Sequence, residues 1–209
     1  MSAPARMGRP VNADGERTRR RIMSAAMDYI AEVGYAKATM KSIAEQAGLT
    51  SAAIYHYFPS KVELVTATLN ALIDEVMVRL ARAVDVPGTL RQRFIALLDE
   101  AIACVRDYPS VARFDATVYL ESARYPNLGA AVARRQRAEE TLYSRLVADA
   151  VAAGEVSAGI DPQSVVDMLT SLTWGLTHLS ATATDDRHRA AVRATEALLA
   201  GILLVEHND

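Results

Sequence analysis

Apolar residues recur at helical spacing along almost the whole chain, and the interruptions fall where glycine, proline or a capping residue would stop a helix. From Glu16 to Val33 the positions Ile22, Ala25, Ala26, Tyr29, Ile30 and Val33 form one stripe, and Gly34 follows as a stop. Thr39 can cap a second helix whose inward positions are Ile43, Ala44 and Ala47; Gly48 ends it, because a left-handed terminal residue costs glycine almost nothing. Leu49 plugs the turn, Thr50 can cap a third helix with Ile54 and Phe58 four apart on its buried side, and Pro59 disfavours a helical residue ahead of it.

A fourth helix is predicted from Lys61 to Val84, with Leu64, Val65, Leu69, Leu72, Ile73, Val76 and Leu80 on its inner face. At 1.5 Å rise per residue it spans ~36 Å, long enough to join one folded unit to another. Asp85 to Gly88, with Pro87, breaks it, and Thr89 can cap the next helix, which runs through Val105 towards Pro109. Val111 to Glu121 predicts a shorter helix. Leu128 to Ala153 predicts a long one with Arg134, Arg135, Arg137, Glu139 and Glu140 on a polar outer face, ending at Gly154. Asp161-Pro162, a cap followed by a first-turn proline, starts another. The last two segments, Val165 to Ala181 and Ala190 to Val205, are apolar on nearly every side, so each must bury two faces. One face can go to the core of the chain, and a second copy would cover the other through Leu169, Leu176, Ala194, Leu198 and Ile202; a thick monomer core is the alternative. No strand-like alternation of useful length occurs, so the predicted fold class is all-α with about nine helices.

Two short helices joined at a glycine turn describe a helix-turn-helix, whose second helix enters the DNA major groove. A formal net charge of −2 conflicts with that reading until its distribution is considered. Residues 1–60 carry eight Arg or Lys against five Asp or Glu, a net of +3, and the rest carry fifteen against twenty, a net of −5. The basic end is the end with the helix-turn-helix. Residues 1–14 read as a mobile arm, and Arg6, Arg9, Arg17, Arg19, Arg20 and Arg21 make the approach positive, with Arg17 and Arg20 candidates for phosphate contact. With Ile54 and Phe58 turned inward, at least one of Tyr55 and Tyr57 should face a phosphate, and Lys61 stands at a helix start where its ammonium joins backbone N–H groups aimed at an anion. Thr50, Ser51, Ala52, Ala53 and His56 complete the expected DNA-facing set, with alanine methyls able to touch thymine methyls and His56 able to donate to a base or a phosphate.

The run from Ala44 to Leu64, with Ala44, Ala47, Gly48, Tyr55, Phe58, Lys61 and Leu64 at their spacing, resembles the signature of the TetR family of bacterial transcriptional repressors. The motif covers about the first third of the chain, and the remainder is similar in helical layout and length. The resemblance implies a DNA-binding domain over residues 1–60 and a ligand-binding and dimerisation domain over 61–209. It also implies repression of a palindromic operator by a homodimer, and backbone contacts from the positions of Thr39, Tyr55 and Lys61. Where the family often carries Lys, Gly and Thr, this chain has Ser51, Ala52 and Ala53, so the operator does not follow by analogy.

The resemblance further implies a small-molecule effector held among the C-terminal helices, whose binding displaces the helix starting at Lys61. Phe94, Leu98, Ile102 and Phe114 could line such a cavity, together with Tyr119, Met168, Leu172 and Trp174. Mostly apolar candidates suggest a mostly apolar ligand, and Arg106, Arg113 or Arg124 could receive an acidic group on it. Control by a protein partner or by abundance, without an effector, is the alternative. An enzyme is disfavoured because the chain has no phosphate-binding glycine loop, nucleophile elbow or His-x-x-x-His, and no cofactor is implied. His178 and His188 are too isolated to suggest a metal site, and Cys104 has no cysteine to pair with. With 51% hydrophobic residues, a mean hydropathy of +0.06 and no long uncharged apolar run, the chain is expected to be soluble and cytoplasmic, with neither a membrane span nor a secretory signal.

Overall fold

A computed structural model describes residues 11–201, and the elements among them are nine α-helices with no strand. They are α1 (Val11–Val33), α2 (Met40–Gln46), α3 (Ser51–Tyr57), α4 (Lys61–Val84), α5 (Leu90–Asp107), α6 (Val111–Glu121), α7 (Pro126–Ala152), α8 (Pro162–Thr182) and α9 (Asp185–Leu199). The all-α expectation is met.

Capping chemistry starts the short helices. The Thr39 hydroxyl accepts from the Ser42 N–H at 3.1 Å while the Thr39 N–H donates to the Ser42 hydroxyl at 3.0 Å, a reciprocal box at the start of α2. The Thr50 hydroxyl accepts from the Ala53 N–H at 3.2 Å at the start of α3, and the Ser60 hydroxyl accepts from Glu63 at 3.2 Å at the start of α4. Gly48, at φ +64°, turns α2 into α3 through a conformation that a side chain would strain.

Two apolar cores lie along α4. The first is built from Ile22, Ala26 and Ile30 of α1, Ile43 and Ala44 of α2 and Ile54 of α3, and extends to Leu64, Val65 and Leu69 of α4. Phe114 and Val118 of α6 and Leu128 of α7 belong to it as well, so the helix-turn-helix rests on the helices behind it. Full burial of a side chain such as Ile54 is worth about 1.5–3 kcal/mol, ample to orient a seven-residue helix that would not persist alone. The second core joins Leu80 and Val84 of α4 to Phe94, Leu97 and Leu98 of α5, Tyr143, Leu146 and Val147 of α7, Val166 and Leu169 of α8 and Val192 of α9. Arg79 of α4 bridges to Glu100 at 2.5 Å and Asp107 at 2.9 Å, clamping α4 to α5.

Three helix starts differ from expectation, one of them that of α7, at Pro126 rather than Leu128. The first helix starts at Val11, so 11–14 are helical, while residues 1–10 with Arg6 and Arg9 lie outside the described residues. The last helix starts at Asp185 behind a Thr184 cap rather than at Ala190, and its first turns carry Asp185, Asp186, Arg187 and Arg189, so it is not apolar all round. Ile202 also lies outside the described residues.

Candidate DNA-binding face and helical cavity

On α3 the inward pair is Ile54, fully buried, and Phe58, at its C-terminal cap. Ser51, Ala52, Tyr55 and His56 are exposed on the outer side of the helix, whereas Ala53 and Tyr57 are half-buried. Tyr57 packs against the first core and meets the His56 ring edge-on at 5.5 Å, so of the two tyrosines it is Tyr55, 52% exposed, whose phenol faces out. Thr39 and Thr50 stand at the caps, their hydroxyls already in capping bonds. On α1, Arg17 pairs with Asp14 at 2.9 Å and Arg20 with Glu16 at 3.4 Å, on the solvent side. Such exposed pairs are worth at most about 1 kcal/mol, so a phosphate could replace either carboxylate. Arg19 is used differently, its guanidinium stacked 4.6 Å over the Phe58 ring.

Lys61 departs from expectation. Its ammonium turns inward, donating to the Tyr35 carbonyl at 2.7 Å and the Ala38 carbonyl at 2.8 Å and lying 4.1 Å over the Tyr35 ring. The α1–α2 connection has orphan carbonyls, and a cation at the start of α4 satisfies two of them. Burial lowers its pKa while Glu121 opposes the shift, and burial together with the neighbouring Tyr125 and Glu121 raises that of Tyr35 to about 12. Tyr35 also packs on Tyr125 at 5.1 Å, which connects the same corner to the start of α7.

Behind this unit, α4 to α9 enclose an apolar void of about 120 Å³, with Leu69, Val76, Leu98, Ile102, Leu176 and Val192 in its wall. A second void of about 260 Å³ opens beside it between α6, α7 and α8, bounded by Tyr119, Leu120, Trp174 and His178. Both share Ala112, Asp115, Arg135 and Thr177 as a common partition. Of the expected lining residues, Leu98 and Ile102 reach the inner void, and Tyr119 and Trp174 meet edge-on at 5.3 Å beside the outer one. The other four do not line either. Phe94, one turn before Leu98, is already within the solid second core; Phe114 faces α1 in the first core. Leu172 packs at the edge of the second core, and Met168 is 45% exposed, on the opposite side of α8 from Val166 and Leu169.

The partition carries charge that helical periodicity had assigned to the surface. Arg135 donates to Glu139 at 2.9 Å and its Nε lies 3.2 Å from an Asp115 oxygen, an ion pair whose N–H points off the line of a hydrogen bond. Glu139 also accepts from the Trp174 indole at 3.1 Å, and the guanidinium sits 4.9 Å over that ring. Burial raises the pKa of both Asp115 and Glu139 against the opposing pull of Arg135. Arg135 and Glu139 were expected on the outer face of α7. They lie instead on the buried stripe through Leu128, Val132, Tyr143 and Leu146, and continuing that spacing through the charged positions is the signal that finds them. The arginines expected to receive an acid are elsewhere. Arg106 pairs with Asp107 at 3.5 Å, Arg124 with Glu121 at 3.5 Å, and Arg113 donates to the Ala181 carbonyl at 3.2 Å.

Met168 and Gly175 are exposed on α8, and Ala194 and Leu198 on α9. Leu169, expected at the contact between copies, is 1% exposed within the second core of its own chain, and Leu176 lines the inner void. No helix among the described residues is long and apolar enough to cross a membrane.

A capped helix-turn-helix with an exposed outer side, carried by a long helix into a body containing voids, defines a DNA-binding transcriptional regulator. The sequence model of the bacterial regulatory proteins of the tetR family matches residues 22–68. The transcriptional regulator RutR of Escherichia coli K12 is 30% identical over 171 residues, 78% of this chain and 78% of that one. The chain belongs to the TetR family of bacterial transcriptional regulators. UidR of the same organism is 24% identical over 196 residues, covering 92% of this chain and 96% of its own. The fold matches that of the regulator FadR from Bacillus subtilis, solved with stearoyl-CoA, at a TM-score of 0.73 and 17% identity over 90% of this chain and 99% of that one.

Proposed function

We propose that this regulator is a repressor that grips a palindromic operator as a homodimer and lets go when a small, mostly apolar molecule occupies the cavity beneath α4. The observation that carries the reading is the shared use of α4. Its middle, from Leu69 to Leu80, walls the inner void, and its first residue, Lys61, ties it to the corner before α2. A molecule that prefers a wider void shifts that helix and with it the recognition helix. A hundredfold preference for the released form corresponds to about 2.7 kcal/mol of coupling.

In this reading residues 1–60 bind DNA, and 61–209 sense and dimerise. Tyr55, Arg17 and Arg20 hold phosphates, with Thr39 and Thr50 at the flanks, while Ser51, Ala52 and His56 face base edges. Half-burial leaves Ala53 and Tyr57 a supporting role. One short helix reads too few base pairs for specificity, so two copies act on half-sites about 34–36 Å apart. The exposed residues Met168 and Gly175 of α8 and Ala194 and Leu198 of α9 supply the contact between copies. That a protein of this fold was solved with stearoyl-CoA supports the ligand-responsive form of the proposal over control by abundance or a protein partner. Selection of genomic fragments with the purified protein, followed by a screen of metabolites for release of the selected duplex, tests both halves. A palindromic site freed by at least one compound is expected. Failure to enrich any duplex over random competitor overturns DNA regulation by this chain, and an operator that no metabolite frees leaves the alternative mode of control.

A further inference from the structure

The partition between the two voids holds more negative than positive charge. The charged side chains lining them are Asp115, Glu139 and Arg135, two carboxylates against one guanidinium. All three are largely withdrawn from solvent, at 16%, 14% and 13% exposure, where an uncompensated charge is costly. Burial lowers the pKa of His188, also in the wall of the inner void, and raises those of Asp115 and Glu139, so a cation brought between the two carboxyl groups favours their ionised form. The Arg135 Nε is buried without a hydrogen-bond acceptor although it stands 3.2 Å from Asp115, so the ion pair is short of its best geometry.

The shape of the space adds to the charge. The inner void, about 120 Å³ and mostly apolar, is close in size to engineered cavities of ~150 Å³ that take up benzene. The outer void lies across the shared wall of Ala112, Asp115, Arg135 and Thr177, so a molecule with its apolar end inside brings a polar head to Asp115, Arg135 and Thr177, with Glu139 beside Arg135 in the inner wall. An acidic head would meet two carboxylates there, and a neutral one would leave the excess charge in place. A cationic donor head balances it.

We infer that the effector cavity takes a small amphiphile with an aryl or short alkyl body and a cationic head, a substituted ammonium or amidinium, received by Glu139 and Asp115. The inference rests on the ligand-responsive reading and narrows it to one chemical class. Trp174, the single tryptophan of the chain, donates to Glu139 and stacks on Arg135, so its fluorescence reports what happens at the partition.

The test titrates the full-length protein, without DNA, with three probes of one body: 4-phenylbutylamine, 4-phenylbutan-1-ol and 4-phenylbutanoate. Trp174 emission and the thermal midpoint are followed. The amine is expected to bind about tenfold or more tighter than the carboxylate, as like-charge juxtaposition predicts, with the alcohol between them. Glu139→Gln, which retains an acceptor for the indole, should reduce the amine-to-carboxylate ratio to near one, and Asp115→Asn provides the same reading should the first variant fold poorly. The inference is overturned by a carboxylate that binds as well as the amine, by an alcohol that equals it, or by no response to any of the three. Because no DNA is present, these failures concern the ligand class alone. The repressor reading falls separately, on the operator and release experiment.

Discussion

Lys61 shows at the scale of one residue how a side chain at a helix start can be engaged by its own chain. Sequence places it at the start of a helix beside DNA-facing residues, and the resemblance implies a phosphate contact. Two carbonyls at 2.7 and 2.8 Å and an aromatic face at 4.1 Å instead take its ammonium. Lys61→Met should therefore cost about 1–3 kcal/mol of stability through unsatisfied carbonyls, read by chemical denaturation. It should leave the salt dependence of operator binding unchanged; a slope shallower by about one would return Lys61 to the phosphate contacts. Arg135 and Glu139 teach the complementary lesson. Their charge alone suggests solvent, and only their phase on the apolar stripe of α7 suggests the interior.

At the scale of elements, the turn between α2 and α3 sets the angle at which the recognition helix is presented. Gly48 holds it at φ +64°, and a methyl group added there would meet nothing within 4 Å, so the cost of a side chain is one of backbone conformation alone. Gly48→Ala should destabilise by about 1 kcal/mol, lowering the melting midpoint by about 2–4 °C for a chain of this length. Operator affinity should fall further than that as α3 tilts. An unchanged midpoint would show that the turn relaxes at no cost. Most element boundaries were legible because caps are local: Thr39, Thr50, Thr89 and Asp161 each bond a backbone N–H three residues on. The start of α9 was missed because Asp185 to Arg189 carry no apolar stripe, and the Thr184 cap is the signal that remained.

For the whole molecule, the question is which apolar surfaces the chain satisfies by itself. Both Leu169 and Leu198 look suited to a dimer contact in sequence, yet the first is 1% exposed and the second 48%. Leu198→Glu should yield a helical, folded monomer by sedimentation and circular dichroism, with operator affinity lost through halved valency. Leu169→Glu should cost about 3 kcal/mol or more by burying a charge and fail to fold stably. A dimer that survives Leu198→Glu would move the contact to another face.

The pattern of apolar residues, caps and breakers by itself determined an all-α chain, the helix-turn-helix and the inward pair Ile54 and Phe58, because each depends on interactions within a few residues. Tertiary structure alone decided where Lys61 sends its charge, that Phe94 and Phe114 fill cores while Leu98 and Ile102 border a void, and that Asp115, Arg135 and Glu139 gather in one wall. Those outcomes depend on how helices far apart in sequence rotate against one another, and a periodicity names the buried side of a helix without naming what lies across from it.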